Sequence, residues 1–283
     1  MVYRQDFRGS SAVSRKKGFG LTVTNAIIIL NVILFFIFSI ISIFYSSLIN
    51  FIAVKPSLVL SGQYVWTIFT SMFMHGSFFH LFVNMLSLFF LGSLTERIIG
   101  RKRFIWIYLI AGIIGGLFFV LFAYFGSFFT RGDFIFGGLD DFAVGASGAI
   151  FGLLGILATL LPKKKVYLII GPLIVIVLQV LIAGIFPSQS NFIDIVGGIL
   201  IFLMIFSMFS FNNSFRKIAL PLSLPFWLAP IIAIVPLLII GFFVKLPIGN
   251  MAHFGGLVAG LFYGTYLRSK YKQKVKLLNR MIK

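Results

Sequence analysis

The chain has 283 residues, 60% of them hydrophobic and 11% charged, with a mean hydropathy of +1.09. A soluble domain carries roughly a quarter charged residues, so soluble globular and disordered readings are both excluded. The apolar runs are apolar on all sides rather than alternating, which excludes a β-barrel and leaves a polytopic all-α membrane protein. The net charge of +18 sits in clusters beside those runs. There, basic residues set topology and meet anionic lipid headgroups at the cytoplasmic face, and nucleic acid is not an expected partner.

Residues 1–20 read as a basic cytoplasmic segment. The uncharged run from Leu21 to Val54 has no small-residue cleavage site and reads as a retained span rather than a signal peptide. Spans are expected at 22–45, 78–95, 104–126, 143–161, 166–186, 192–211, 226–243 and 250–267. Each is expected to be helical, because a backbone in lipid must satisfy its own hydrogen bonds. The stretch 56–74, with Pro56, Gly62 and Trp66, is apolar enough to suggest a ninth. Charge decides against it. With eight spans both termini are cytoplasmic, and 21 of the 24 basic residues fall on that side, leaving Lys55, Arg131 and Lys245 outside. The stretch 56–74 therefore reads as a structured outer loop, and 268–283 as a basic cytoplasmic tail, solvated and lipid-facing.

Polar residues within a membrane are costly, and each is a functional candidate. His80 and Asn84 are four apart and share a helix face, with His75 just before that helix. A pair of interhelical hydrogen bonds is the plainer reading of the two. Gly145-Ala146-Ser147-Gly148 places a serine among small residues, and such serines usually serve close helix packing. Ala252, Gly256, Gly260 and Gly264 form a smooth stripe beside His253, matched by Gly148 and Gly152 on the serine helix. If those faces meet, His253 comes within reach of Ser147.

His80, Asn84, Ser147 and His253 all lie a few residues after the outer start of spans that run inward, and so share one layer roughly 3–10 Å below the outer boundary. Serine with histidine is the minimum for acyl transfer: the hydroxyl attacks and the imidazole carries the proton. His80, Asn84 and the Ser147 N–H are then candidate oxyanion donors. No carboxylate is placed to orient His253, so a dyad is expected rather than a triad. Phe151, one turn below Ser147, either holds the imidazole by ring packing or is plain core. Metal chemistry fails on inventory, since His75 and His80 have no intervening glutamate, and no cofactor is called for. Glu96 reads as pairing with Arg97 or holding a loop. Asp194 reads as an acid at a helix N-terminus near the outer surface.

The segments His75-x4-His80-x3-Asn84, Gly145-Ala146-Ser147-Gly148 and Ala252-His253-x-Gly-Gly-x3-Gly260, in this order, resemble the rhomboid intramembrane serine proteases from about Trp66 to Gly264. The resemblance implies a serine endopeptidase that cleaves single-span membrane proteins near the outer face, in a multi-pass protein of the plasma membrane. Ser147 would be nucleophile, His253 base, and His80 and Asn84 oxyanion donors. His75, Phe151, Gly145, Gly148, Gly256 and Gly260 would support the site. It further implies a membrane-embedded loop over 46–77 and a lateral substrate gate at 226–243. Two features depart from the family pattern. Trp66 is followed by Thr67 where many members carry arginine. The usual six-helix core has one helix between serine and histidine, where this chain has three, so 164–220 reads as an inserted helical hairpin within a transmembrane domain spanning 21–267. The alternative is a catalytically silent rhomboid-like binding protein, or a transporter.

Overall fold

The computed structural model describes residues 21–45, 47–246 and 248–281; the basic segment 1–20 lies outside them. A helix stands at each of the eight expected spans: α1 (Val23–Phe44), α2 (Phe78–Ile99), α3 (Arg101–Gly126), α4 (Ser147–Leu160), α5 (Gly171–Ile185), α6 (Ser190–Ser207), α7 (Ala229–Gly241) and α8 (Asn250–Lys270). By length and composition α1, α2, α3 and the stretch Pro187–Ser207 can cross a membrane, while α4, α5 and α7 are apolar but shorter. The protein is thus a mostly helical, polytopic membrane protein.

The short helices correct three expected boundaries. The span expected at 143–161 starts only at Ser147, because Ala143 is bridged to Val54 and the chain up to Ala146 is loop. The span expected at 226–243 is helical only over α7. The span expected at 166–186 opens as a strand. Strand β1 (Lys165–Ile169) pairs antiparallel with β2 (Pro221–Pro225), from Lys165 opposite Pro225 to Ile169 opposite Pro221. Val166, Tyr167 and Ile169 favour a pleated backbone, and their apolarity merges them with the following helix in any hydropathy reading. The hairpin formed by α5 and α6 therefore stands on a two-stranded stalk.

Stretch 56–74 is a structured loop, with short helices at Pro56–Leu60 and Thr67–Thr70 and a 3-10 turn at Ser71–Phe73. Trp66 Nε1 donates to the Phe51 carbonyl at 3.0 Å, and Thr70 Oγ1 to that of Ile52 at 2.9 Å. The tail differs from its expectation. It forms a helix, α9 (Lys272–Met281), whose Val275 and Leu278 pack, with Tyr271, against the core, and Asn279 Nδ2 donates to the Leu160 carbonyl at 2.7 Å. That bond satisfies one of the carbonyls left open at the end of α4.

Helix α4 is the axis of the bundle, with eleven of its 14 residues buried between α3 and α8. Its partners approach closely because the contacts are glycine to backbone. A side chain at Gly256 would strike the Gly148 carbonyl, one at Gly260 the Gly152 carbonyl, and one at Gly115 the Ala252 carbonyl. Helix α1 lies at the periphery, with only Thr24, Ile27 and Asn31 buried. Its N-terminus is fixed by Glu96 on α2, which accepts from the Val23 and Thr24 N–H groups at 3.0 and 2.8 Å and from Thr24 Oγ1 at 2.7 Å. Two orphan donors and a favourable dipole contact account for a buried carboxylate there. Glu96 also lies 3.8 Å from Arg101, not in a pair with Arg97.

Candidate active site

Ser147 is the first residue of α4, so its own N–H is among the unpaired donors of that helix end. The loop leading to it is held on both sides. Ala143 pairs with Val54, and the Gly145 N–H donates to the Ser71 carbonyl at 2.8 Å. Gly145 has φ +119°, a conformation costly for any side chain. A Cβ there would also lie 2.8 Å from His80 Cε1 and Nε2, so the imidazole rests directly on this turn.

His253 comes from the first turn of α8. Its Nε2 lies 2.8 Å from Ser147 Oγ. The smooth stripe makes this distance possible: the Gly256 contact on the Gly148 carbonyl sets the two helices a backbone apart, one turn below the pair. The ring stacks on Phe151 with centroids 4.5 Å apart and planes 13° from parallel. Nδ1 is buried without a hydrogen-bond partner among the described residues.

The other polar residues gather beside this pair. Ser77 caps α2 by accepting from the His80 N–H at 3.1 Å. Asn84, 5% exposed, donates from Nδ2 to the His80 carbonyl at 2.9 Å. His75 packs edge-on against His80 with ring centroids 5.1 Å apart, and both its nitrogens are buried and without a partner among the described residues. The residues singled out in the sequence therefore meet in one place: Ser147 with His253, Phe151 behind them, and His80, Asn84 and His75 around Gly145. Among the described residues no group of histidines and acids has the makings of a metal site.

From Ser147 down to Leu160, and from His253 down to Arg268, the helices descend roughly 20 and 22 Å. The pair thus lies at the loop-fed end of both helices. Two contributors escaped the sequence reading. Gly115 on α3 is the third member of the close-packed set, signalled only by the run Gly112, Gly115, Gly116. Asn250, buried one turn before His253, has its Oδ1 without a partner among the described residues.

Comparison with known proteins identifies a family for the chain. A family model described as the Rhomboid domain matches residues 62–211, more than half of the chain. The chain belongs to the rhomboid family. The matched range holds His75, His80, Asn84 and Ser147, while His253 lies beyond it and is tied to them by geometry. Among relatives, "RHOMBOID-like protein 1" of Arabidopsis thaliana is 35% identical over 150 residues, 51% of this chain and 35% of that protein. "Rhomboid protease GluP" of Bacillus subtilis is 34% identical over 161 residues, 56% of this chain and 28% of that protein. "Inactive RHOMBOID-like protein 8" of Arabidopsis thaliana is 34% identical over 100 residues, 35% of this chain and 24% of that protein. The rhomboid chain thus matches only about a quarter to a third of the length of these three relatives.

Proposed function

We propose that this rhomboid chain is an intramembrane serine endopeptidase that cleaves transmembrane proteins near the outer membrane face. The observation that carries the proposal is the 2.8 Å approach of His253 Nε2 to Ser147 Oγ inside an apolar bundle. Two partly buried polar groups from distant helices are costly to bring together in lipid, and a structural role would need neither a nucleophile nor a base.

In this reading the Ser147 hydroxyl donates to Nε2, loses its proton to it as Oγ attacks the scissile carbonyl, and the imidazolium returns the proton to the leaving amine. Water then repeats the sequence to release the acyl group. The developing oxyanion is met by the Ser147 N–H, the free N–H of the Asn84 amide and His80. With Nδ1 unpartnered, ring orientation falls to the Phe151 stack rather than to a carboxylate. His75 backs His80. Gly145, Gly148, Gly256 and Gly260 act through the approach distances they allow.

The same reading places both termini, the stalk and α9 on the cytoplasmic side of the plasma membrane, facing anionic headgroups. The transmembrane unit is 21–267, with clients that are single-span membrane proteins entering by α7. A silent binding protein is the second reading, favoured by the relative named inactive. A transporter is disfavoured by depth, since transport sites cluster at the bilayer midplane. The test is cleavage of a single-span reporter in liposomes by the wild type, Ser147→Ala and His253→Ala proteins. Cleavage by the wild type alone is expected. Cleavage surviving Ser147→Ala sinks the nucleophile, and a folded wild type that cleaves no reporter supports the silent reading.

A further inference from the structure

The inserted hairpin packs on the helix that carries His80 and Asn84. A Cβ at Gly198 of α6 would meet the Phe79 ring at 2.5 Å, and Phe202 lies 6.4 Å from Phe79 and 5.6 Å from Phe82 between ring centroids. Val175, Ile201 and Ile205 add a small core that takes in Phe82 and Leu86. The hairpin leaves the bundle after α4 and rejoins it before α7, yet leans on α2. It therefore flanks the lateral approach to the Ser147 layer.

Asp194, Gly198 and Phe202 follow one another every four residues and form the face of α6 turned to α2. Asp194 lies one turn outward of the Gly198–Phe79 contact, at the outer rim of the seam. It is exposed, and no side-chain hydrogen bond or ion pair engages it among the described residues. The other outer acids are engaged: Asp140 with Lys55 at 3.0 Å, and Asp133 and Asp141 with Lys245 at 3.2 and 2.9 Å. Gln179 of α5 faces the same stretch but directs Nε2 to the Ile193 and Asp194 carbonyls at 3.4 Å, leaving the carboxylate unmatched. An ionisable group at a membrane rim without an internal partner fits an external cation.

We propose that the inserted hairpin is a docking wall for client transmembrane segments, in which Asp194 pairs with a lysine or arginine on the client's outer flank while the apolar α2–α6 seam takes its upper turns. The cleavage half of this idea rests on the protease reading; the binding half does not. A second copy of the chain is the weaker occupant, because its outer Lys55 and Lys245 are engaged with acids and its Arg131 lies over the Phe134 ring at 5.7 Å.

The test uses the Ser147→Ala protein in phosphatidylcholine vesicles, with two labelled single-span peptides that differ only in an outer-flank lysine or glutamate. The lysine peptide is expected to bind about fivefold more tightly. Asp194→Asn removes the difference, Asp194→Lys reverses it, and salt weakens it. Equal binding of the two peptides, or a lysine preference retained in Asp194→Lys, overturns the proposal. A change of oligomeric state in Asp194→Lys with the peptide preference intact also overturns it, in favour of self-association. With Ser147 restored, the same preference is expected in KM and not in kcat. Preferential binding without any cleavage would sink the protease reading and leave the docking wall standing.

Discussion

The seam between α4 and α8 and the seam between α2 and α6 are both built on glycine, yet they differ in what the glycine meets. On the first, Gly256 and Gly260 face the carbonyls of Gly148 and Gly152, so backbone abuts backbone. On the second, Gly198 faces the far edge of the Phe79 ring, which can turn away. A carbonyl held in a helix cannot yield, and the separation of α4 from α8 is fixed to the accuracy that a 2.8 Å serine–histidine approach requires. The α2–α6 seam is adjustable. The general lesson is that a small-residue stripe specifies geometry only when its opposing wall is main chain.

Substitutions at the two seams separate them by size of effect. Gly256→Leu is expected to have the largest effect, with no stable protein recovered in detergent. Gly256→Ala already pushes a methyl into the Gly148 carbonyl and should cost about 1–3 kcal/mol, the usual range for overpacking. A lowered melting temperature with lost cleavage is the expected readout. Phe151→Ala removes the face that orients the imidazole, and an aromatic stack of roughly 1 kcal/mol predicts a kcat about fivefold lower with KM unchanged. Gly198→Ala is expected to cost under about 1 kcal/mol, because only a ring must turn. Equal melting losses in Gly256→Ala and Gly198→Ala would erase the distinction between the two seams.

The smallest effect concerns the outer loops. Hydrogen bonds from Lys55 and then Ser57, with the Lys55 charge, hold the exposed Asp140 carboxyl below its usual range. A lowered pKa means the contact stabilises above the ordinary carboxylate range and is lost as pH falls through the lowered value. Thermal melts at neutral and strongly acidic pH should show a larger loss in the wild type than in Asp140→Asn.

The site was legible where its chemistry is local. The His80 and Asn84 spacing, the serine among glycines and the four-residue stripe beside His253 each lie within one helix turn or two. The long apolar runs likewise each hold a helix where a span is expected. What escaped depends on long-range pairing or on depth. The stalk was hidden because Val166, Leu168 and Ile169 are as apolar as the helix that follows. Helix α4 begins late because the loop before it runs inward against Val54 and Ser71, which hydropathy cannot distinguish from helix. Sequence proximity pairs Glu96 with its neighbour Arg97, whereas its partners are the distant Val23 and Thr24. The tail's lysines give it a solvated composition that masks the apolar face of Val275 and Leu278.

The most direct measurement of the central claim needs no client at all. A serine-reactive fluorophosphonate applied to the folded protein in detergent, followed by peptide mapping, is expected to mark Ser147. The labelling should disappear in Ser147→Ala and slow at least about tenfold in His253→Ala, as the loss of a general base requires. Labelling at another serine, or an unchanged rate in His253→Ala, would contradict a Ser147–His253 dyad.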